Sequence, residues 1–157
     1  MSRRIATVGV YGFTADTFIA ALREARVGIL LDVRRRRAVR GAQYAWANAR
    51  RLQDALSAQD IGYRHLAELA MPDELRKLQH RFDELAGVGQ RSRVELAGEV
   101  RERYRAEVLD RVDLEALAAS LPPRPLPAFM CVEGEPAACH RSLIAERWAG
   151  EVLHLRP

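Results

Sequence analysis

The sequence has little cysteine, almost no lysine and few aromatic rings, and each shortage narrows the reading. Two cysteines, Cys131 and Cys139, in 157 residues cannot build a disulfide framework, so both are expected as free thiols, ligands or nucleophiles of a reducing compartment. No run approaches the roughly 18 consecutive apolar residues of a membrane span. Met1-Ser2-Arg3-Arg4 leads into a strand-like segment rather than a signal-peptide core, so the expectation is a cytoplasmic protein with no membrane partner. Lys77 is the only lysine among 25 basic residues, so the wealth of arginine belongs to the overall composition as much as to any site. Against 21 acidic residues the balance is +4, a mild bias toward anionic partners. Internal repeats and low-complexity tracts are also missing. A chain of 157 residues fits one domain, 1–157, able to bury a core without staples.

What is present alternates between strand and helix patterns. Residues 4–10 read as a strand, and a helix capped by Thr14 turns Phe18, Leu22 and Ala25 toward it. Gly28 is expected to end that helix, before the continuous apolar run 29–33 of a buried parallel strand. Asn48 caps the next helix, with Leu52, Ala55 and Leu56 inward, and 61–66 returns as a third strand. A helical pair follows. One member opens near Pro72 with Leu75, Leu78, Phe82 and Leu85 at helical spacing, and the other begins at the Ser92-Arg93-Val94-Glu95 capping-box pattern. A short helix at 113–115, a proline-rich connector at 122–127, a strand at 128–132, a loop at 133–138, a helix at 139–149 and a strand at 151–155 complete the chain. The expected fold is α/β: a single three-layer domain with a mostly parallel sheet, helices on both faces and the inserted helical pair.

In such sheets ligands bind beyond the carboxyl ends of the strands, where Tyr11, Asp32, Arg34, His65, Cys131, Glu133, Cys139, His140 and Arg141 are expected to gather. Asp32 leaves a buried strand and needs a cation or donors, which Arg34 or another loop arginine supplies, as part of a site or as a structural ion pair. Arg35, Arg36, Arg37 and Arg40 could receive phosphates, with Tyr44 and Trp46 stacking on a base, or form a solvated loop. Cys131 ends a strand and Cys139 opens a helix, whose free amides favour a thiolate or an anion. Cys139 could act as a nucleophile with His65 or His140 as base. The spacing matches no zinc motif and Arg141 follows Cys139 too closely for a tyrosine-phosphatase loop, so neither a metal nor another cofactor is expected. His80 and His154 are set aside as incidental, and Leu143 and Trp148 as core.

Asp32-Val33-Arg34, Gly41-Ala42-Gln43-Tyr44, the segment Ile61 to Leu66, Cys131-x-Glu133 and Cys139-His140-Arg141, in this order, resemble the Domain of Unknown Function 488 family over nearly the whole chain. The resemblance implies a small α/β domain and carries no established reaction. The chain departs from the family pattern in three places. Thr7-Val8-Gly9-Val10 replaces an opening Thr-x-Gly-Tyr or Thr-x-Gly-His, arginines replace a Pro and Ser after Asp-Val-Arg, and Leu69-Ala70-Met71 replaces Leu-Gly-Gly.

The leading functional expectation is an enzyme-like domain that binds a phosphorylated or other anionic substrate, nucleotide and nucleic acid included. Arg34, Arg37, Arg40, Arg141 and the amides near Cys139 would hold the anion, and Asp32, His65, Glu133, Cys139 and His140 would serve the chemistry. One alternative is a non-catalytic nucleic-acid-binding accessory protein acting through residues 34–40, Arg50 and Arg51. The other is a thiol or metal site of Cys131, Cys139, His140 and His65.

Overall fold

The apolar run that begins at Ile29 lies at the heart of the sheet, in a computed structural model that describes residues 3–148 and 150–157. Five strands pair in the order β3-β2-β4-β1-β5, and all pairs are parallel. They are β1 (Ile5–Val8), β2 (Val27–Asp32), β3 (Gly62–His65), β4 (Leu126–Met130) and β5 (Val152–Leu155). Helix α1 (Ala15–Glu24) and α2 (Ala49–Ser57) cover one face. The other face carries α3 (Asp73–Ala86), α4 (Gly98–Glu107), α5 (Leu114–Ser120) and α6 (Arg141–Arg147).

Alternation along each strand builds the two cores. Ala6, Val8, Leu30, Ala128 and Met130 meet Phe18, Leu22, Leu52 and Leu56 of α1 and α2. Ile5, Leu31, Val33 and Phe129 point the other way and meet Leu75, Val100, Tyr104, Leu143 and Trp148. Register brings the strand ends level: Asp32 stands beside both His65 and Met130, and Val8 beside both Met130 and Leu155. One carboxyl edge thus receives the loops after β1, β2, β3 and β4.

Thr14 caps α1, its hydroxyl accepting from the Thr17 amide, a contact worth about 1 kcal/mol. Other local signals resolve differently. Gly28 lies inside β2, where a Cβ would overlap the ring of Pro125 1.5 Å away, so close strand approach rather than helix termination explains that glycine. Asn48 stands at the start of α2, but its side-chain oxygen accepts from the Val39 amide and so fastens the arginine loop. Ser92 opens no helix: its hydroxyl accepts from the Gly89 amide in a turn, and α4 begins at Gly98. On α3, Leu75 is buried and Leu78 and Phe82 pack against the core as their spacing predicts, but the inward stripe also carries the polar Gln79 and Asp83, and Leu85 is 86% exposed. The last helix begins at Arg141, later than expected, and runs for seven residues; Ala149 lies outside the described residues.

Candidate functional site

The Asp32 carboxylate emerges from β2 with no access to solvent and is fully engaged. Arg34 donates to it through Nε and Nη2, each at 2.9 Å, and through its backbone amide at 3.1 Å. Tyr63 adds its hydroxyl at 2.5 Å, and Arg34 spends Nη1 on the Ala47 carbonyl at 2.8 Å. Both guanidinium edges of Arg34 are therefore committed inside the protein. His65 donates from Nε2 to the Arg34 carbonyl at 2.9 Å, which fastens the β3 end to this cluster.

Arg141 is likewise internal. It has no solvent exposure, and it donates to the carbonyls of Glu133 at 2.6 Å and Gly134 at 3.1 Å, while its Nε finds no partner. The Glu133 carbonyl approaches so closely because Gly9 carries no side chain; a Cβ there would lie 2.1 Å from that oxygen. The Glu133 carboxylate is buried and receives Arg93 at 2.6 Å and Gln90 at 3.2 Å. Arg93 also reaches Asp83 at 3.0 Å and the Ala138 carbonyl at 3.0 Å, and Gln79 joins Asp83 to the Ala97 amide. Burial, reinforced by the Cys139 thiolate, pushes the Glu133 carboxyl up to about 7 against the pull of Arg93.

Cys131, Cys139 and His140 form one buried group. His140 Nε2 donates to the Val33 carbonyl at 2.9 Å, which leaves Nδ1 facing both sulfurs at 3.9 Å each. Burial opposes ionisation of Cys139, but the Cys131 thiol and the charges of Arg141 and His140 outweigh it and hold Cys139 well below the usual thiol range. The hydrogen bond to Cys139, with burial, lifts Cys131 well above that range. Burial alone would lower His140, yet the thiolate beside it leaves the imidazole raised.

The remaining expected residues are on the surface or in the second core. Arg36, Arg37 and Arg40 are exposed, and Arg35 faces Asp73 at 3.4 Å. Arg37 is raised from the ordinary arginine value by the neighbouring Tyr63 hydroxyl. Trp46 does not stand free for stacking: its ring lies 4.8 Å from that of Phe18 and belongs to the core over α1. Tyr44 accepts the Gly12 amide at 3.0 Å and tilts against Tyr11 at 5.3 Å.

Over those two rings lies Arg91, 5.1 Å from the Tyr11 centroid and 5.4 Å from that of Tyr44. It donates to the Arg40 carbonyl at 3.1 Å, and no carboxylate among the described residues reaches it. Tyr11, Arg91, Arg93, Gly134 and Arg156 border an open depression of about 340 Å³ beyond the ends of β1, β4 and β5. Arg156 crosses it to Glu135 at 3.0 Å. A larger depression of about 550 Å³ lies toward the opposite strand ends, lined by Asp54, Asp60 and Gly62, and of the site residues described above Tyr63 alone borders it.

Sequence reasoning missed Arg91, Arg93, Gln79 and Asp83. The polar i, i+4 pair on α3 was a weak sign of the buried network. Arg91 carries no local signal in a chain so rich in arginine.

The model of one protein family, described as Domain of unknown function DUF488, matches residues 14–148. No curated protein and no solved structure matches the chain.

Proposed function

The chain belongs to the DUF488 family, and from that premise we propose that it binds a phosphorylated or otherwise anionic small molecule in the depression beyond β1, β4 and β5. The observation that carries this reading is Arg91, a guanidinium laid over two tyrosine rings, with no carboxylate neighbour among the described residues, at the rim of a cavity of ligand size. The two rings and the Arg40 carbonyl, which takes Nη2, restrain the guanidinium, and its remaining N–H groups are free to meet a phosphate or carboxylate.

Arg156 is the second cation, shared with Glu135, so an arriving anion exchanges one carboxylate for another rather than meeting a bare charge. Arg34 and Arg141 support the site from within: the first braces the β2 exit, the second the Glu133–Gly134 turn that forms one wall. A proton donor or acceptor is at hand in Glu133, which Arg93 links to the cavity wall. A nucleic-acid partner is the second reading, favoured by the exposed Arg36, Arg37 and Arg40 beside Arg91. A cytoplasmic location suits two thiols that remain free.

Calorimetric titration of inorganic pyrophosphate tests the main reading. Binding to the native protein should weaken at least tenfold in Arg91→Ala, with the melting temperature unchanged. Equal affinities for the two proteins would refute it.

A further inference from the structure

Three ligand-type atoms converge where β4 ends and α6 begins. Sγ of Cys131, Sγ of Cys139 and Nδ1 of His140 all lie within 4.8 Å of one another, and Nδ1 is 3.9 Å from each sulfur. Two thiols that only fill space have no need of an imidazole nitrogen set equally far from both. A shared ion does. With metal–sulfur bonds of about 2.3 Å and metal–nitrogen bonds of about 2.0 Å at tetrahedral angles, sulfur and nitrogen ligands stand about 3.5 Å apart. The observed 3.9 Å separations exceed that edge by about 0.4 Å.

We propose that Cys131, Cys139 and His140 hold a thiophilic divalent ion, zinc, as a Cys2His centre. The second nitrogen of His140 is already fixed by the Val33 carbonyl at 2.9 Å, the outer contact a metal-bound imidazole takes to set its tautomer and orientation. Its ring lies 5.3 Å from that of Tyr104, whose hydroxyl is anchored on the Leu69 carbonyl at 2.6 Å. The backbone fixes both sulfurs too, with the Cys131 amide on the Val8 carbonyl and the Cys139 amide on that of Pro136. Three ligands are thus aimed before any ion arrives.

Soft thiolates with an imidazole select zinc over calcium or magnesium. On binding, the Cys131 thiol proton and any proton held on His140 Nδ1 pass to solvent, Cys139 enters as the thiolate described above, the imidazole lends the Nδ1 lone pair, and two thiolates balance the 2+ charge. That neutrality suits a site where all three residues are buried. A water takes the fourth position, as in zinc sites with three protein ligands.

The test uses protein purified without an affinity tag, kept reduced and supplied with one equivalent of zinc or, in parallel, cobalt. Elemental analysis after desalting should find about one ion per chain, and the cobalt form should show a thiolate-to-cobalt charge-transfer band. X-ray absorption at the zinc edge should give two sulfur neighbours and at least one nitrogen. Cys139→Ser and His140→Ala should lose the ion, and Arg91→Ala should keep it, so this centre and the anion site fail separately. Should the cysteine and histidine variants not fold, the absorption spectrum of the native protein decides. Folded, reduced protein that retains neither metal, or a retained ion without sulfur neighbours, would overturn the proposal.

Discussion

Arg34 grips Asp32 through two parallel N–H···O contacts of 2.9 Å, with 1% and 0% of the two side chains open to solvent. A buried pair of this kind is worth little against an apolar replacement of both partners. Loss of one partner strands a charge and costs on the order of 3–5 kcal/mol. Asp32→Ala and Arg34→Ala should each lower the free energy of unfolding by that amount. Arg34→Lys should be nearly as harmful, because an ammonium cannot span both carboxylate oxygens and the Ala47 carbonyl. Losses below about 1 kcal/mol in urea titrations, the range of an exposed pair, would contradict the structural role.

Gly9 and Gly89 should respond oppositely to alanine. At Gly9 the added Cβ meets the Glu133 carbonyl at 2.1 Å and the Arg141 guanidinium at 3.2 Å, whereas Gly89 has nothing within 4 Å. Gly9→Ala should destabilise by about 1–3 kcal/mol, as overpacking does, and Gly89→Ala should be neutral or slightly stabilising. Melting curves of the two variants side by side check the contrast, and equal behaviour would mean the Glu133–Gly134 turn yields more easily than its contacts imply.

Both thiols are buried and free. A colorimetric thiol reagent should therefore react slowly or not at all with the native protein and count two thiols after denaturation with a chelator. A count of zero in denatured, freshly isolated protein would mean a disulfide.

His154 gives stability a pH dependence of known sign. Its Nδ1 lies 2.6 Å from the Thr7 hydroxyl, and burial, with the charges of Arg141 and Arg156, holds its pKa below the ordinary imidazole value. The unfolded chain then binds the proton more readily than the folded one. The contribution is complete above about 6.5 and is lost as pH falls through the folded-state value. His154→Gln should flatten the melting temperature between neutral and mildly acidic pH; an unchanged slope would rule out this residue as the source.

Much of this architecture was legible before any coordinate. The apolar stretch from Ile29 and the Thr14 cap follow from local rules, and the convergence of Asp32, Cys131 and Glu133 at one edge follows from parallel strands. Where local and long-range demands compete, the sequence misleads. Ser92 satisfies a helix-start pattern and is captured by its own Gly89 turn. Gln79 and Asp83 look like a solvated face, yet they are buried because Arg93 and the Ala97 amide need partners. Arg141 looks like an edge cation, but the Glu133 and Gly134 carbonyls draw it inward through the gap left by Gly9. No spacing rule reveals that His140, adjacent to Cys139, faces both sulfurs.

An anion that meets Arg91 is read residue by residue by the arginine Nε–H resonances of a 15N–1H spectrum as pyrophosphate is added. With assignments from single Arg→Lys variants, the signals of Arg91 and Arg156 should shift together and saturate, while those of Arg34 and Arg141, committed inside the protein, stay in place. Saturable shifts at Arg34 or Arg141, or shifts confined to Arg36, Arg37 and Arg40 with Arg91 unmoved, would contradict an anion site at Arg91.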